Sequence, residues 1–289
     1  MTDVDELAPA DSIAPADEDA PPVAQVEREH WAKIVLPPLL FGLIVLGVWY
    51  LISYVVLVPR RRFLLQPPHL VLERGFLDWD VFSKILESLW ATTKVAMTGL
   101  TISIILGVAI AVVMSQSKLI ERAVFPYMVM LQAVPILAIS PLIGFWFGYA
   151  NNSRVIVVVI ISLFPIVVNT LLGLQSADRS MHELFDLQRA GRWVRLRKLM
   201  FPAAIPTMFA GLRISAGLSV IGAIVGDFVY GRGEAGIGQR LKTYASQGQG
   251  EELLTAVIIS CLLGVAVFLL FGWLADRLTR SWSDTGGST

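Results

Sequence analysis

The chain after residue 33 is dominated by apolar runs that are each about as long as a membrane-crossing helix. A hydrocarbon core of about 30 Å needs about 20 residues of α-helix to cross it. The hydrophobic fraction of 55% and the charged fraction of 16% are outside the range of an ordinary soluble domain. We therefore predict an all-α polytopic membrane protein of about six transmembrane helices. Its spans lie near 34–58, 90–114, 124–146, 155–174, 204–230 and 253–274.

Prolines fall within the third and fourth of these spans, at Pro135, Pro141 and Pro165. Membrane helices tolerate proline where neighbouring groups satisfy the freed carbonyl oxygens. Kinks are therefore expected in both spans.

The two ends of the chain differ from the apolar middle. Residues 1–30 hold nine Asp and Glu against one basic residue, Arg28, and few large apolar side chains, so they predict a disordered acidic tail. They have no basic stretch followed by an apolar core, which a signal peptide would need. The remaining divisions are 31–80 for the first span and an extracytoplasmic segment, 81–280 for the main transmembrane domain, and 281–289 for a C-terminal tail.

A basic amphipathic segment, His182 to Pro206, separates the fourth and fifth spans. Its charge density cannot lie in hydrocarbon, so the segment lies at a membrane surface. Apolar residues at spacings of three and four predict a short helix. The basic residues are Arg189, Arg192, Arg195, Arg197 and Lys198.

Basic residues in short loops mark the cytoplasmic side. With six spans, both termini are then cytoplasmic, in a multi-pass cell (inner) membrane protein, and 59–89, 147–154 and 231–252 face the opposite side. This orientation places Arg60, Arg61 and Arg62 on the side opposite to the cytoplasm, contrary to the usual distribution of basic residues.

Small residues form a strip on the fifth span that allows another helix to approach closely. This strip favours tight helix packing, and it is also compatible with the lining of a substrate path. The candidate path residues are Ser215, Ser219, Gly222, Gly226 and, from the fourth span, Asn169.

Sequence motifs for cofactor, metal and phosphate binding are incomplete, absent or in the wrong structural context. Gly231, Gly233 and Gly236 match a dinucleotide fingerprint but follow a membrane span instead of a β-strand, which favours a flexible turn. His182 and Glu183 lack the second histidine of a zinc motif, and no phosphate-binding loop sequence is present. Cys261 has no partner for a disulfide or a cysteine-based metal site. We expect no catalytic residue, cofactor, metal or nucleic-acid partner.

Four motifs, ordered along roughly 80–280, resemble the permease subunit of binding-protein-dependent ABC importers. Within that family the chain is most similar to the nitrate, sulfonate and taurine group, which includes importers of pyrimidines and vitamin precursors. The motifs are 133–142 with 146–148, 164–170, Arg192-Trp193 followed by 201–206, and 211–213.

The resemblance implies a homodimer with two cytoplasmic ATPase subunits and a soluble substrate-binding protein, moving a small polar solute inward by alternating access. The basic segment would be the coupling helix that docks on the ATPase, through Glu183, Arg189, Gly191, Arg192, Trp193 and Arg195.

The docking sequence departs from the family pattern. The family opens this loop with Glu-Ala-Ala and has a glycine a few residues later, where this chain has Glu183-Leu184-Phe185 and Arg189. Gly191 is expected to supply the backbone break instead. Three alternatives remain open: a basic loop that only contacts anionic lipid, a self-contained secondary transporter or channel, and a membrane-embedded enzyme.

Overall fold

The computed structural model describes residues 23–58, 62 and 64–283, and within these residues it contains helices and no β-strand. The long helices are α1 (Val23–Leu51), α3 (Trp79–Ser115), α6 (Asn151–Leu174), α9 (Phe201–Val229) and α11 (Gly250–Ser283). The shorter helices are α2 (Pro68–Val71), α4 (Lys118–Ala133), α5 (Ile136–Phe147), α7 (Arg179–Leu187), α8 (Arg192–Arg195) and α10 (Ile237–Gln247). Wider π-helical turns cover Ile52–Val56, Leu72–Phe76 and Leu196–Met200.

The chain divides into two compact units between Val56 and Leu57. The first unit contains α1, whose membrane-length part is Val35–Val56, close to the predicted span 34–58. Helix α1 begins at Val23, so the last residues of the predicted disordered tail are helical. The rest of that tail, residues 1–22, lies outside the described residues.

Two helices of the second unit, α3 and α4, begin with a side chain that caps the first turn. The Asp78 carboxylate accepts hydrogen bonds from the amides of Asp80 (3.0 Å) and Val81 (3.4 Å) at the start of α3. The Ser117 hydroxyl accepts from the amide of Leu119 at the start of α4. Such oxygens satisfy amides that have no partner inside the helix.

The predicted third span, 124–146, is not one helix. It consists of α4 and α5, which meet at an angle of 99°. Pro135 has no amide hydrogen to continue the helix, and the preceding Val134 takes an extended conformation. Helix α6, by contrast, continues through Pro165 as one helix, so the chain breaks at a proline in only one of the two spans in which kinks were expected.

The bent pair nevertheless returns the chain from one end of the helix bundle to the other. The beginning of α6 and the end of α9 lie together, since Arg154 pairs with Asp227, and Thr92 of α3 contacts the same carboxylate. At the other end, Met114 of α3 packs in one cluster with Leu174 and Leu196. Helices α3 and α6 therefore run in the same direction, and the chain must return between them through α4 and α5. Among the described residues there are thus five helices of spanning length, and six spans if the bent pair is counted as one.

Glycines bring α6 and α9 close together. A Cβ atom on Gly222 would lie 3.0 Å from the Cα of Val158, and one on Gly226 would lie 3.1 Å from the Cα of Arg154. Backbone approach of this kind gives dispersion contacts between membrane helices. The same faces carry the main core cluster, in which Val158 packs with Leu212 and Val220.

A buried ion pair ties this packing to the connection between α9 and α10. Arg154 and Asp227 approach to 3.3 Å, and their side chains are 1% and 0% exposed. Arg154 also donates to the carbonyl oxygens of Tyr230 (2.8 Å), Glu234 (2.8 Å) and Arg232 (3.3 Å). Arg154 therefore holds three carbonyl oxygens of the glycine-rich turn after α9.

Removing one member of this pair leaves the other charged group buried. We expect Asp227→Ala to lower the free energy of unfolding by about 3–5 kcal/mol, because the Arg154 guanidinium loses its counter-charge. Equilibrium unfolding in mixed detergent micelles measures the change.

The matched control is Lys94→Ala. Lys94 pairs with Glu234 at 2.6 Å, but both side chains are about half exposed. An exposed pair contributes about 1 kcal/mol or less. An equal decrease in the free energy of unfolding for the two variants would contradict the proposed contribution of the buried pair to stability.

Close packing at Gly222 gives a second prediction. Gly222→Leu forces α9 away from Val158, and overpacking of this kind costs about 1–3 kcal/mol. We expect a lower yield of folded protein and a lower unfolding temperature. Gly264→Ala is the control, because nothing lies within 4 Å of its Cβ position. An unchanged yield and unfolding temperature for Gly222→Leu would show that this helix contact is not close.

Candidate docking segment and membrane path

The docking segment, defined here as 179–200, connects α6 to α9. It contains α7, a turn at 188–191, α8 and the π-helical turn. The amide of Ala190 donates to the carbonyl of Phe185 and the amide of Arg189 donates to that of Asp186, both at 2.9 Å. This pair of hydrogen bonds is the Schellman ending of a helix, in which one residue takes a left-handed conformation.

Arg189 is the left-handed residue, with φ of +50°. Glycine is favoured at such a position because an L side chain costs roughly 1–2 kcal/mol there. Gly191 has φ of −65° and ψ of 157°, an extended conformation open to any residue. The backbone break therefore occurs at Arg189, where the family pattern places its glycine, and the expectation that Gly191 supplies it is wrong.

Two of the predicted docking residues form ion pairs within the segment. Glu183 accepts from Arg179 at 3.1 Å along α7. Arg195 of α8 pairs with Asp186 of α7 across the turn. Arg195 therefore fixes the angle between the two helices, while Arg192 is exposed and has no carboxylate partner among the described residues.

The docking segment has a buried side and an exposed apolar side. Leu196 and Leu199 are buried against the core. Trp193 is 79% exposed and Leu187 is 83% exposed. Met181, Leu184 and Val194 are also exposed. This surface lies at the end of the helix bundle at which α6 ends and α9 begins.

The residues predicted to line a path lie between α6 and α9 of a single chain. Ser215 donates to the carbonyl of Ser162 at 2.8 Å, and Ser219 donates to that of Ala216 at 2.8 Å. Both serines are fully buried, as are Gly222 and Gly226. Asn169 is half-buried and donates to the carbonyl of Pro165 at 2.8 Å. Within one chain, the close packing of α6 on α9 explains why small residues occupy these positions.

A cavity of about 170 Å³ adjoins the break between α4 and α5. Its lining residues are Leu131, Gln132, Val134, Ile136, Ile160, Ile161, Pro165 and Leu218. Non-helical backbone at membrane depth occurs where it is buried in protein or lines a cavity. Sequence reasoning did not identify this site, although Pro135 marked its position.

Arg154 is the other residue that sequence reasoning missed. The predicted fourth span began at 155, so Arg154 was placed in a loop. The structure places it inside α6, with Asp227, near a cleft that also exposes Lys94, Asn151 and Glu234. The signal available in the sequence was the unpaired Asp227 in the fifth span, which required a cation nearby.

No metal site emerges from this geometry. Within the described part of the chain, no three His, Cys, Asp or Glu side chains are grouped to hold a metal ion. His182 and Glu183 lie together on α7, in the docking segment.

Comparison with known proteins agrees with this architecture. The family model described as "Binding-protein-dependent transport system inner membrane component" matches residues 99–283. The formylaminopyrimidine transport permease protein ThiX of Halalkalibacterium halodurans is 34% identical over 81% of this chain and 90% of its own length. The riboflavin transport system permease protein RibX of Chloroflexus aurantiacus is 31% identical over 91% of this chain and 95% of its own length.

A solved bacterial ABC transporter that imports the acidic polysaccharide alginate has the same fold. Its chain aligns with a TM-score of 0.59 at 13% identity, over 87% of this chain and 99% of that chain. These similarities support an importer subunit and not a self-contained secondary transporter. The chain is a multi-pass membrane protein that belongs to the inner-membrane component family of binding-protein-dependent transport systems, the permease subunits of ABC importers.

Proposed function

We propose that this permease carries a small polar solute into the cytoplasm as part of a complex with two ATPase subunits and a soluble substrate-binding protein. The exposed apolar surface of the docking segment carries the proposal, because Trp193 and Leu187 are exposed at the end of the bundle while Leu196 packs the same segment onto the core. Nucleotide hydrolysis belongs to the separate ATPase subunits. The permease itself performs no covalent chemistry.

Docking depends on a few residues with distinct roles. Trp193 and Leu187 are the anchors, since buried aromatic and aliphatic side chains dominate the affinity of protein interfaces. Arg189 and Arg192 are accessible to carboxylates on the ATPase. Arg195 and Glu183 hold the segment in shape through Asp186 and Arg179. Contact with anionic lipid alone would leave the affinity for the ATPase unchanged when Trp193 is removed, so ATPase binding separates the two roles.

The active unit is a homodimer that works by alternating access. ATP-driven closure of the motor moves the two docking segments, and each segment is continuous with α9 through its π-helical turn. Because α9 is packed closely on α6, the two helices move as one body. The cavity beside the break between α4 and α5 is the candidate lining of the path, in place of the buried strip of small residues.

The solute class follows the relatives with the highest quoted identities. ThiX and RibX are named for a formylaminopyrimidine and for riboflavin, both nitrogen heterocycles. We propose a vitamin precursor of that kind before a sulfonate, taurine or nitrate. Calorimetric titration of the cognate substrate-binding protein with both kinds of solute tests the choice; tighter binding of taurine or nitrate would overturn it.

The docking proposal predicts the effect of one aromatic substitution. We expect Trp193→Ala to weaken binding of the ATPase by about 2 kcal/mol, roughly thirtyfold, because an interface anchor is lost. Binding of purified ATPase to the permease in nanodiscs measures the affinity.

Trp79→Ala is the matched control. Trp79 is 69% exposed, but it lies at the start of α3, at the opposite end of the bundle. Its substitution should leave ATPase binding unchanged. If Trp193→Ala binds ATPase as tightly as the wild type, the docking surface is elsewhere.

The proposed orientation gives a topology prediction. In a Cys261→Ser background, Glu73→Cys should react with a membrane-impermeant thiol reagent added to intact cells, and Ser180→Cys should react only after the cells are opened. Both positions are exposed, so accessibility does not differ between them. The reverse labelling would invert the orientation of all six spans and place both termini outside.

A further inference from the structure

The cavity beside the break between α4 and α5 lies halfway along the spans. Ile160 and Pro165 of α6 are part of its lining. Ile160 is nine residues after the first residue of α6, and Pro165 is nine residues before its last. At about 1.5 Å per residue, the two residues are each about 14 Å from an end of the helix. A solute that crosses the membrane beside α6 passes this depth, whichever surface it enters from.

Gln132, at the end of α4, is the one polar side chain in this lining. It is exposed within a single chain, and it makes no hydrogen bond to another described residue. Polar side chains at membrane depth face protein or a water-filled cavity, because contact with lipid leaves them without partners. The side of the chain that carries Gln132 therefore faces the path and not the lipid.

The hydrogen-bonding groups of the cavity are neutral. The carboxamide of Gln132 offers two N–H donors and one carbonyl acceptor. Ile136 also lines the cavity, and its amide has no backbone acceptor among the described residues, since the helix is interrupted just before it. Broken helices at the middle of the membrane provide free groups of this kind for polar solutes in other transporters.

The rest of the lining limits the charge and the size of a bound solute. None of the lining residues is charged, so an anion would enter without a counter-charge, which is costly away from water. The seven residues other than Gln132 present hydrocarbon. The volume of about 170 Å³ is close to that of an engineered apolar cavity, about 150 Å³, that holds one benzene molecule. The cavity therefore fits a single uncharged ring with a polar edge.

We propose that this cavity binds a neutral, single-ring nitrogen heterocycle during its passage, with the ring against the hydrocarbon walls and its polar edge on the Gln132 carboxamide. The inference rests on the proposed function, because the cavity is the candidate lining of the path. It adds a selective step within the membrane itself. Sulfonates and nitrate are disfavoured there because their negative charge has no partner, and Gln132 is the residue that determines this specificity.

Protection of an engineered cysteine tests the site in the purified full-length permease. Val134→Cys, in a Cys261→Ser background, places a thiol in the cavity with little change in side-chain volume. The probe is 4-aminopyrimidine, at a pH at which it is neutral. At about four times its dissociation constant, it should slow alkylation by N-ethylmaleimide about fivefold, which is the ratio of total to unoccupied protein. Benzenesulfonate, an anion with a ring of the same size, should leave the rate unchanged.

Two substitutions of Gln132 test the role of its carboxamide. Gln132→Leu removes the hydrogen bonds at similar size, so the concentration of 4-aminopyrimidine that gives half protection should rise about tenfold. Gln132→Lys supplies a cation, so benzenesulfonate should now protect the thiol.

Two controls separate the site from general effects. Gln247→Leu makes the same substitution on an exposed residue at the end of α10, outside the cavity, and should leave protection unchanged. The unaltered chain has its one thiol at Cys261, in the groove between α9 and α11, and neither compound should slow its alkylation. Circular dichroism and the unfolding temperature check that each variant is folded, and Gln132→Ala replaces the leucine variant if that variant does not fold.

Three outcomes would overturn the proposal. The first is equal protection by the two compounds, and the second is unchanged protection in Gln132→Leu. The third is a Val134→Cys thiol that N-ethylmaleimide does not reach and that forms a disulfide between copies, which would show that the second copy fills the cavity. The measurement uses neither the ATPase nor transport. A permease that fails to bind ATPase would refute the proposed function whatever the protection, whereas absence of protection in a permease that binds ATPase would refute this inference alone.

Discussion

One buried charge pair determines how the helices of this permease meet. Arg154 and Asp227 are buried, so each charge is compensated by the other and by surrounding hydrogen bonds and not by water. Thr92 donates a short hydrogen bond to Asp227 and accepts from the amide of Ile237 at 2.8 Å. Helices α3, α6, α9 and α10 are thereby joined at one point. Gly236 belongs to the same arrangement, because a Cβ there would collide with the Asp227 carboxylate.

The six spans could be predicted from the sequence because each long apolar run must satisfy its backbone hydrogen bonds within itself. The ends of those runs were less certain: α6 begins at Asn151, four residues before the predicted start at 155, and this error placed Arg154 in a loop. The third span was harder still, since Pro135 and Pro165 look alike in sequence. Only Pro135 interrupts a helix, because Val134 is free to become extended there, whereas Pro165 lies in the middle of α6, which packs on both α3 and α9.

The docking segment shows that composition alone cannot assign a role to each individual residue. Charge and helical spacing predicted a surface helix, and the structure has two short helices with a left-handed turn at Arg189. The ion pair between Arg195 and Asp186 spans that turn, and it offsets part of the cost of a non-glycine residue in this conformation. The arginines of one cluster thus have different roles. Arg189 closes the turn, Arg195 fixes its angle, and Arg192 remains available to a partner.

The position of α9 connects these observations. Its N-terminal end continues from the docking segment, and its C-terminal end carries Asp227, so one rigid helix joins the docking surface to the buried clamp on the opposite side of the membrane. Under the proposed mechanism, a displacement of the docking segment moves α6 together with α9, because Gly222 and Gly226 lie against the backbone of α6. The pair would then move against the other helices. The break between α4 and α5, which adjoins α6, is where the bundle can accommodate that movement.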